Sequence, residues 1–573
     1  MDHRSALVLL VVFGAGVFLA GLELMITAVA LPSILTDLVD ANGTTAWLEL
    51  RKASWIVNGY LLVYILVMPL AGRLADLWGT RRLFLGALAV FALGSVLAGA
   101  AQDLDQLIAA RLVQAAGGGV LVPVGTAAAA HLYAGHARAR ALGVIGALTF
   151  LGMAAGPFLG AAMLAVLYPE DALIAAGLAD GPLAAVLAPA WRWIFYVNVP
   201  VALIAMTLAW AAAAGWETPH RRGRVDVPGA ALFGAALAAG LVALTLVGTD
   251  VVAGTDVDPG VVTAVLSGVA LVATVLAVAR ALRTDDPFLD IRLFRNVPFS
   301  AAGLVSLLTG YAFATAIIGG AVFVDRVLYG GPDQQRLALG SLAGATAAGA
   351  LAAGLLVRRL SYRVVTLAGI ALSVAGLGLM ARWSSETPIE AVAGALAVFG
   401  LGFGLSVTPR SAAAVEAAGR AAFGAASSVV TVARMIGMAV GLAILTAYGS
   451  TTIDDLSARI DPTSDSYLQL IPEALRDRPF KDPLVVEALE AWASREAAAI
   501  MVGLFVVAAA VTLAAVPPAI ALGGGGGRAD QRGRPAPLAP LAPAAPAAPA
   551  APAADAPEAR MLSGDDRPDA GLA

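Results

Sequence analysis

The run Gly72-Arg73-Leu74-Ala75-Asp76-Leu77-Trp78-Gly79-Thr80-Arg81-Arg82 stands between two long apolar segments, 53–71 and 83–101. Each segment is near the ~20 residues that a helix needs to cross ~30 Å of hydrocarbon. The run is therefore the charged turn of a membrane hairpin, with the spacing G-x-x-x-D-x-x-G-x-R-R.

Composition agrees with a chain solvated by lipid. Hydrophobic residues make up 59% and charged residues 13%, against about a quarter charged in a soluble domain, and mean hydropathy is +0.83. The net charge of -4 decides little, because the sidedness of Lys and Arg matters more than their sum, and no nucleic-acid partner is implied. The absence of cysteine removes disulfides, thiolate metal sites and cysteine nucleophiles. His131 and His136 fall with Arg138 and Arg140 in what reads as a short polar loop; they are taken as solvated residues, and no metal site is expected. No G-x-x-x-x-G-K-[ST] loop occurs, so nucleotide hydrolysis is not the energy source.

The first apolar segment, 6–35, is too long for a signal-peptide core and is taken as a span. Further spans are expected at 53–71, 83–101, 107–130, 141–167, 193–214, 227–247, 261–281, 299–324, 337–357, 364–381, 391–409, 421–448 and 497–522, fourteen in all. Arginines gather in alternate loops: Arg73, Arg81 and Arg82; Arg138 and Arg140; Arg221, Arg222 and Arg224; Arg280, Arg283, Arg292 and Arg295; Arg358, Arg359 and Arg363; Arg410 and Arg420. The loops between carry Asp103 and Asp105, Asp250, Asp256 and Asp258, and Glu386 and Glu390. Basic loops stay cytoplasmic, which puts both termini there. Fourteen spans divide as six, two and six: a first bundle over 1–215, two extra helices with linkers over 216–297, and a second bundle over 298–522 with an outer extension at 450–495. The Ala/Pro-rich tail 523–573 has little apolar bulk to bury and is expected to be disordered. Gly354 to Arg363 echoes the first turn without an acid to match Asp76.

The turn around Asp76 resembles the loop between the second and third spans of the major facilitator superfamily. On that resemblance Gly72, Arg73, Asp76, Gly79, Arg81 and Arg82 form a conformational latch, in which Asp76 caps a helix end, pairs with arginines across the two halves and holds the outward-open state. Gly152-Met153-Ala154-Ala155-Gly156-Pro157-Phe158-Leu159-Gly160 is similar to the antiporter motif of drug exporters, carried by Gly152, Gly156, Pro157 and Gly160. Small residues at that spacing also serve close helix packing. Arg111 and Gln114 match the family's fourth-span motif. Trp191-Arg192-Trp193-Ile194-Phe195-Tyr196-Val197-Asn198-Val199-Pro200 resembles the signature of fourteen-span drug:proton antiporters. Within that family, 429–438, 447–449 and 54–62 look most like the mycobacterial triacylglyceride and multidrug exporters that work with a periplasmic lipoprotein. The resemblance implies a lipid or amphiphilic cargo, an outer-side lipoprotein partner, and an acid before the Gly-Pro motif where this chain has Thr149-Phe150.

A charge in hydrocarbon costs at least ~2.5–3.5 kcal/mol on insertion scales, so ionisable residues within spans carry the chemistry. Glu23 corresponds to the acid of the family's first-span motif. Burial disfavours the charged form of a lone carboxyl, which suits a group that takes up and releases a proton, and few ion-pair partners are apparent for it. Arg434 and Arg111 are its expected counter-charges; Arg111 would lie near the outer end of its span, able to snorkel, with a static or a coupling role. Val485, Leu489 and Trp492 continue an apolar helical stripe outward and form an expected outer lipid path. The insertion 169–190 is either a re-entrant or interfacial hairpin on the outer leaflet or loop filler.

The expected fold is all-α, a major facilitator fold of two six-helix bundles plus two linker helices. The expected protein is a monomeric, multi-pass exporter of the inner or plasma membrane, surrounded by lipid, driven by the proton gradient without a cofactor and without enzymatic activity. An importer of the same superfamily and a non-transporting assembly factor are the alternatives.

Overall fold

A computed structural model describes residues 3–38, 55–175, 177, 181, 184–212, 218, 226–246, 258–285, 287–419, 422–459 and 465–523. The expected tail beyond 523, Arg221, Arg222, Arg224, Asp250, Asp256 and Arg420, and part of 169–190 lie outside the described residues. These residues belong to one compact unit, Met1–Gly527, and contain no strand. Fourteen helical segments are long and apolar enough to cross a membrane, as expected where lipid leaves the backbone no other hydrogen-bond partner.

We number the spanning helices α1 (His3–Leu38), α2 (Trp55–Trp78), α3 (Thr80–Ala100), α4 (Leu104–Leu132), α5 (Gly135–Val166), α6 (Asn198–Ala212), α7 (Val227–Leu246), α8 (Pro259–Arg283), α9 (Val297–Val322), α10 (Pro332–Leu356), α11 (Tyr362–Met380), α12 (Ile389–Ala418), α13 (Phe423–Arg459) and α14 (Pro483–Leu513). The fifth apolar segment, Phe158–Ala175, is only 7% buried and runs past the end of α5; the helix that packs there is α5 itself, against α1 and α10.

One set of pairings occurs twice. In the first six helices α1 packs on α4, α5 and α6, α2 on α4, and α3 on α4 and α6. Their counterparts repeat it: α9 on α12, α13 and α14, α10 on α12, and α11 on α12 and α14. Glycines set these crossings in matched positions. A Cβ on Gly152 or Gly156 would meet the α1 backbone at Phe18 and Leu22, and one on Gly437 or Gly441 would meet the α9 backbone at Leu307 and Tyr311. The spacing of the antiporter motif is thus also a packing device present in both halves, while the Pro157 side chain lies outside the described residues and Gly160 is simply buried.

The pair α7 and α8 packs mainly on itself, with α7 touching α2 and α13. Asp226 ties its ends together, accepting from Arg280 Nε at 2.8 Å, Gly229 N at 3.0 Å and Phe288 N at 3.3 Å.

Three boundaries differ from those expected. The helix containing Pro409 continues to Ala418, so Arg410 is a buried intramembrane residue, 1% exposed, and not a loop arginine. α5 begins at Gly135, which moves His136, Arg138 and Arg140 from a loop into its first turns. α13 has 37 residues and α14 has 31, about 55 and 46 Å at 1.5 Å per residue, longer than crossing requires. Beyond the membrane-length portion, Val485 and Leu489 are buried with Ile471 beneath Tyr467, Leu468, Leu475 and Phe480, and Trp492 is half-buried. These side chains form a small core of their own.

The glycine contacts make a direct test. Gly437→Ala forces a methyl into the Leu307 carbonyl and should cost about 1–3 kcal/mol by overpacking, whereas Gly503 has open space around it and Gly503→Ala should be neutral or gain up to about 1 kcal/mol from helix propensity. Thermal unfolding in detergent should show a lower midpoint for the first variant only.

Candidate functional site

The charged turn holds one end of the molecule together. Gly72 on α2 approaches α13 so closely that a Cβ would collide with Ser428 Oγ and the Gly424 carbonyl. One turn on, the Asp76 carboxylate accepts from the backbone N–H of Gly424 at 2.8 Å and of Ala425 at 2.9 Å. These are first-turn amides of α13, which have no intrahelical acceptor and carry the positive end of the helix dipole. Asp76 therefore caps a helix of the opposite half. Ser427 Oγ adds a bond to the Pro123 carbonyl of α4 at 2.9 Å.

The remaining residues of the turn shape the link itself. Gly79 adopts φ 86° between α2 and α3, a conformation that glycine reaches without strain. Thr218 Oγ1 accepts from Thr80 N at 3.0 Å, Arg81 donates to the Trp210 carbonyl near the end of α6 at 3.1 Å, Arg73 is buried and Arg82 is exposed.

The second half repeats the contact with a different ending. Gly354 on α10 meets Ala139, Arg140 and Gly143 of α5, as Gly72 meets Gly424 and Ser428. Arg358 follows Gly354 at the spacing by which Asp76 follows Gly72, and it is exposed. α5 starts at Gly135, so the amides at 139 and 140 already lie inside the helix and need no cap. The sequence echo lacks an acid because its partner helix begins earlier.

A buried polar cluster occupies the middle of the first half. Glu23 of α1 is 0% exposed and Arg111 of α4 is 1% exposed, and the two form an ion pair through Glu23 Oε1 and Arg111 Nη1. Thr27 Oγ1 donates to Glu23 Oε1 at 3.1 Å, and Asn198 Nδ2 of α6 donates to Oε2 at 2.7 Å. Arg111 also donates to Gln114 Oε1 and, at 3.4 Å, to the Ile56 carbonyl of α2. Gln114 passes the chain on to Ser95 of α3 at 2.8 Å. Tyr60 of α2 lies beneath the guanidinium, 4.0 Å from its ring centroid.

Five helices thus share one polar network, three of them reaching the Glu23 carboxylate itself. Arg111 does not snorkel: it points inward and, of the two expected counter-charges, is the one that pairs with Glu23. Arg434 stands elsewhere, on α13, with its guanidinium 5.6 Å from the Phe150 ring of α5. Phe150 forms a cluster with Phe313 and Phe403, and Thr149 returns its hydroxyl to the Ile145 carbonyl at 2.9 Å. Tyr60 and Tyr64 stack at 5.7 Å along α2, and among the described residues neither hydroxyl has a hydrogen-bond partner.

Asn198, Tyr60, Tyr64 and Arg410 belong to this interior and were not singled out from sequence. Asn198 sits in the Trp191–Pro200 signature, where an amide inside the expected span 193–214 is a legible signal. The same signature closes the far end: Arg192 donates to the carbonyls of Gly99, at 2.8 Å, and of Ala101, while Trp191 Nε1 bonds Asp37 at 3.0 Å. Among the described residues no cluster of His, Asp or Glu is arranged to hold a metal.

Comparison with known proteins adds names to this geometry. The family model described as Major Facilitator Superfamily matches residues 13–442. The chain is 34% identical over 447 residues to a triacylglyceride transporter of Mycolicibacterium hassiacum, covering 76% of this chain and 78% of that protein. It is 31% identical over 397 residues to a multidrug resistance protein B homolog of Mycobacterium tuberculosis, covering 68% of each. In fold it is similar to the proton:xylose symporter XylE, with TM-score 0.53 and 13% identity over 90% of this chain and 97% of that one. It is likewise similar to the human organic anion transporter MFSD10, with TM-score 0.54 and 15% identity over 89% and 100%.

Two outcomes follow from the geometry. Glu23→Gln and Arg111→Gln each leave a buried charge unanswered and should each destabilise by about 3–5 kcal/mol, while the double variant should lose about 1–3 kcal/mol less than the sum; thermal unfolding of all four proteins checks this, and additive losses would show that the pair is uncoupled. Asp76→Asn should weaken the helix-end interaction by about 0.3–2 kcal/mol, roughly a 2- to 30-fold change in population. The chain has no cysteine, so spin labels at Ala134→Cys and Arg359→Cys report the distance between halves, and the variant should move that distribution toward longer separations.

Proposed function

The chain belongs to the major facilitator superfamily, and from that premise we propose that it is a proton-coupled exporter of amphiphilic or lipidic compounds working by alternating access. The observation that carries this reading is Glu23, a carboxylate in the middle of a spanning helix whose charge is answered by Arg111 and Asn198. Protonation of Glu23 removes one side of that pair and frees the guanidinium, so a proton can be exchanged for a rearrangement of five helices.

The described contacts between the halves gather at the arginine-rich end, at Gly72, Asp76 and Ser427, and at Gly143 and Gly354, with Phe150 next to them. In this reading that end is cytoplasmic and shut, both termini lie on that side, and the state faces outward. The energy comes from the proton gradient without a cofactor. Lipidic cargo is supported by the names of the mycobacterial relatives and by the long α13 and α14, and the cap over Val485 and Leu489 is a natural place for an outer-side lipoprotein to dock.

Reconstituted vesicles with a pH gradient test the proposal. Addition of a fluorescent lipid or lipophilic dye should drive proton movement with the native chain, and Glu23→Gln should lose at least tenfold in gradient-driven transport while still exchanging cargo down its own gradient. Native rates in the Gln variant would refute proton coupling through Glu23.

A further inference from the structure

The second half contains two buried guanidiniums that the ion pair of the first half does not answer. Arg410 is 1% exposed and Arg434 is 8% exposed. Arg410 donates to two neutral hydroxyls, those of Thr309 and Ser406, and among the described residues its Nε has no acceptor; the Nε of Arg434 likewise has none there. Among the described residues neither arginine forms an ion pair with a carboxylate. Arg111 in the first half has Glu23, Gln114 and a carbonyl.

The two arginines share one aromatic cluster. Arg434 lies 5.6 Å from the ring of Phe150 and Arg410 lies 5.3 Å from that of Phe403, while those rings are 5.5 Å apart and Phe313 packs on both, at 5.5 Å from Phe150 and 4.4 Å from Phe403. Tyr64, which interacts electrostatically with Arg434, brings a buried hydroxyl that has no acceptor among the described residues. Two like charges in a low-dielectric interior repel each other and have lost their water. Guanidinium forks match carboxylate and phosphate geometry, and an anion placed between them answers both deficits.

We propose that Arg434, Arg410 and Tyr64 form a binding site for the anionic headgroup of an amphiphile, a carboxylate or a phosphate, with the Phe150, Phe313 and Phe403 cluster packing against its chain. The proposal rests on the reading above that the space between the halves is the transport path. Position supports it: Arg434 stands three residues before Gly437, as Thr149 stands before Gly152, and reaches from α13 of the second half to Phe150 of the first, so a headgroup held there touches both halves. The net positive charge excludes cationic compounds from this subsite.

The test is a binding measurement that needs neither a proton gradient nor transport, so its result is independent of the proton-coupling proposal. The full chain, in nanodiscs of zwitterionic lipid, is titrated with oleate, dodecyl phosphate, oleyl alcohol and inorganic phosphate, and binding is read by thermal shift and by intrinsic fluorescence. Oleate or dodecyl phosphate should saturate and stabilise, oleyl alcohol should bind at least tenfold more weakly, and inorganic phosphate alone should not compete at equal concentration. Arg434→Gln and Arg410→Gln should each reduce affinity for the charged amphiphile at least tenfold, and Arg434→Lys should recover part of it. Should the Gln variants fold poorly, the ratio between oleate and oleyl alcohol on the native chain still decides. Equal binding of the uncharged alcohol, or full competition by inorganic phosphate, would overturn the proposal; the ratio of oleate to dodecyl phosphate tells which headgroup the site prefers.

Discussion

A hydrocarbon solvent offers no hydrogen bonds, so each buried charge and each open helix end must find its partner inside the protein. That constraint organises this molecule. At the helix end it produces Asp76, whose carboxylate closes the first turn of α13 from across the boundary between the halves. In the interior it produces the ion pair of Glu23 and Arg111, with Thr27, Gln114 and Asn198 taking up further valences. Both solutions join helices that are distant in sequence, and both are local enough to be undone by one proton or one displaced helix.

The repeated pairings show how much of the architecture is backbone geometry and how much is chemistry. Close crossings recur in both halves at matched glycines, Gly152 and Gly156 of α5 against α1, Gly437 and Gly441 of α13 against α9. Charged groups do not recur. The first half holds a compensated pair, and the second holds Arg410 and Arg434 over a phenylalanine cluster. Helix packing therefore keeps the two halves alike while the ionisable residues divide the labour between them. The missing acid at Arg358 fits this division, since α5 begins early enough to need no external cap.

The fourteen spans and the hairpin turn were legible because length and hydropathy are local properties, and the lipid environment makes them decisive. Arg410 was not, because Pro409 reads as a helix end. Proline removes one donor and obstructs one acceptor, but that loss is tolerated within a membrane where neighbouring elements surround the helix, and α12 runs on to Ala418. For Glu23 the counter-charge Arg111 was expected, while Asn198 was not, since the partners lie 88 and 175 positions away and no periodicity encodes such convergence. Asp76 was read as a capping residue, and the resemblance implied that it acts across the halves; that its acceptors would be satisfied by two first-turn amides of α13 required the helix start to be placed. Val485 and Leu489 show the reverse case, an apolar stripe read correctly as a stripe whose covering residues, from Tyr467 to Phe480, have no pattern of their own.

Coupling between two sites requires an element whose arrangement both of them bias. α2 and α13 meet that requirement. α2 carries Tyr60 beneath Arg111, the buried Tyr64, then Gly72 and Asp76 at the junction. α13 carries the capped amides at Gly424 and Ala425 and, about three turns further, Arg434. In the proton-coupled reading proposed above, a change in the charge of Glu23 acts on α2 through Arg111 and a change at Arg434 acts on α13, and the two helices are joined at Asp76. The carboxylate at that junction is worth at most about 2 kcal/mol, small enough for either interior event to outweigh it and large enough to hold the junction when both are at rest.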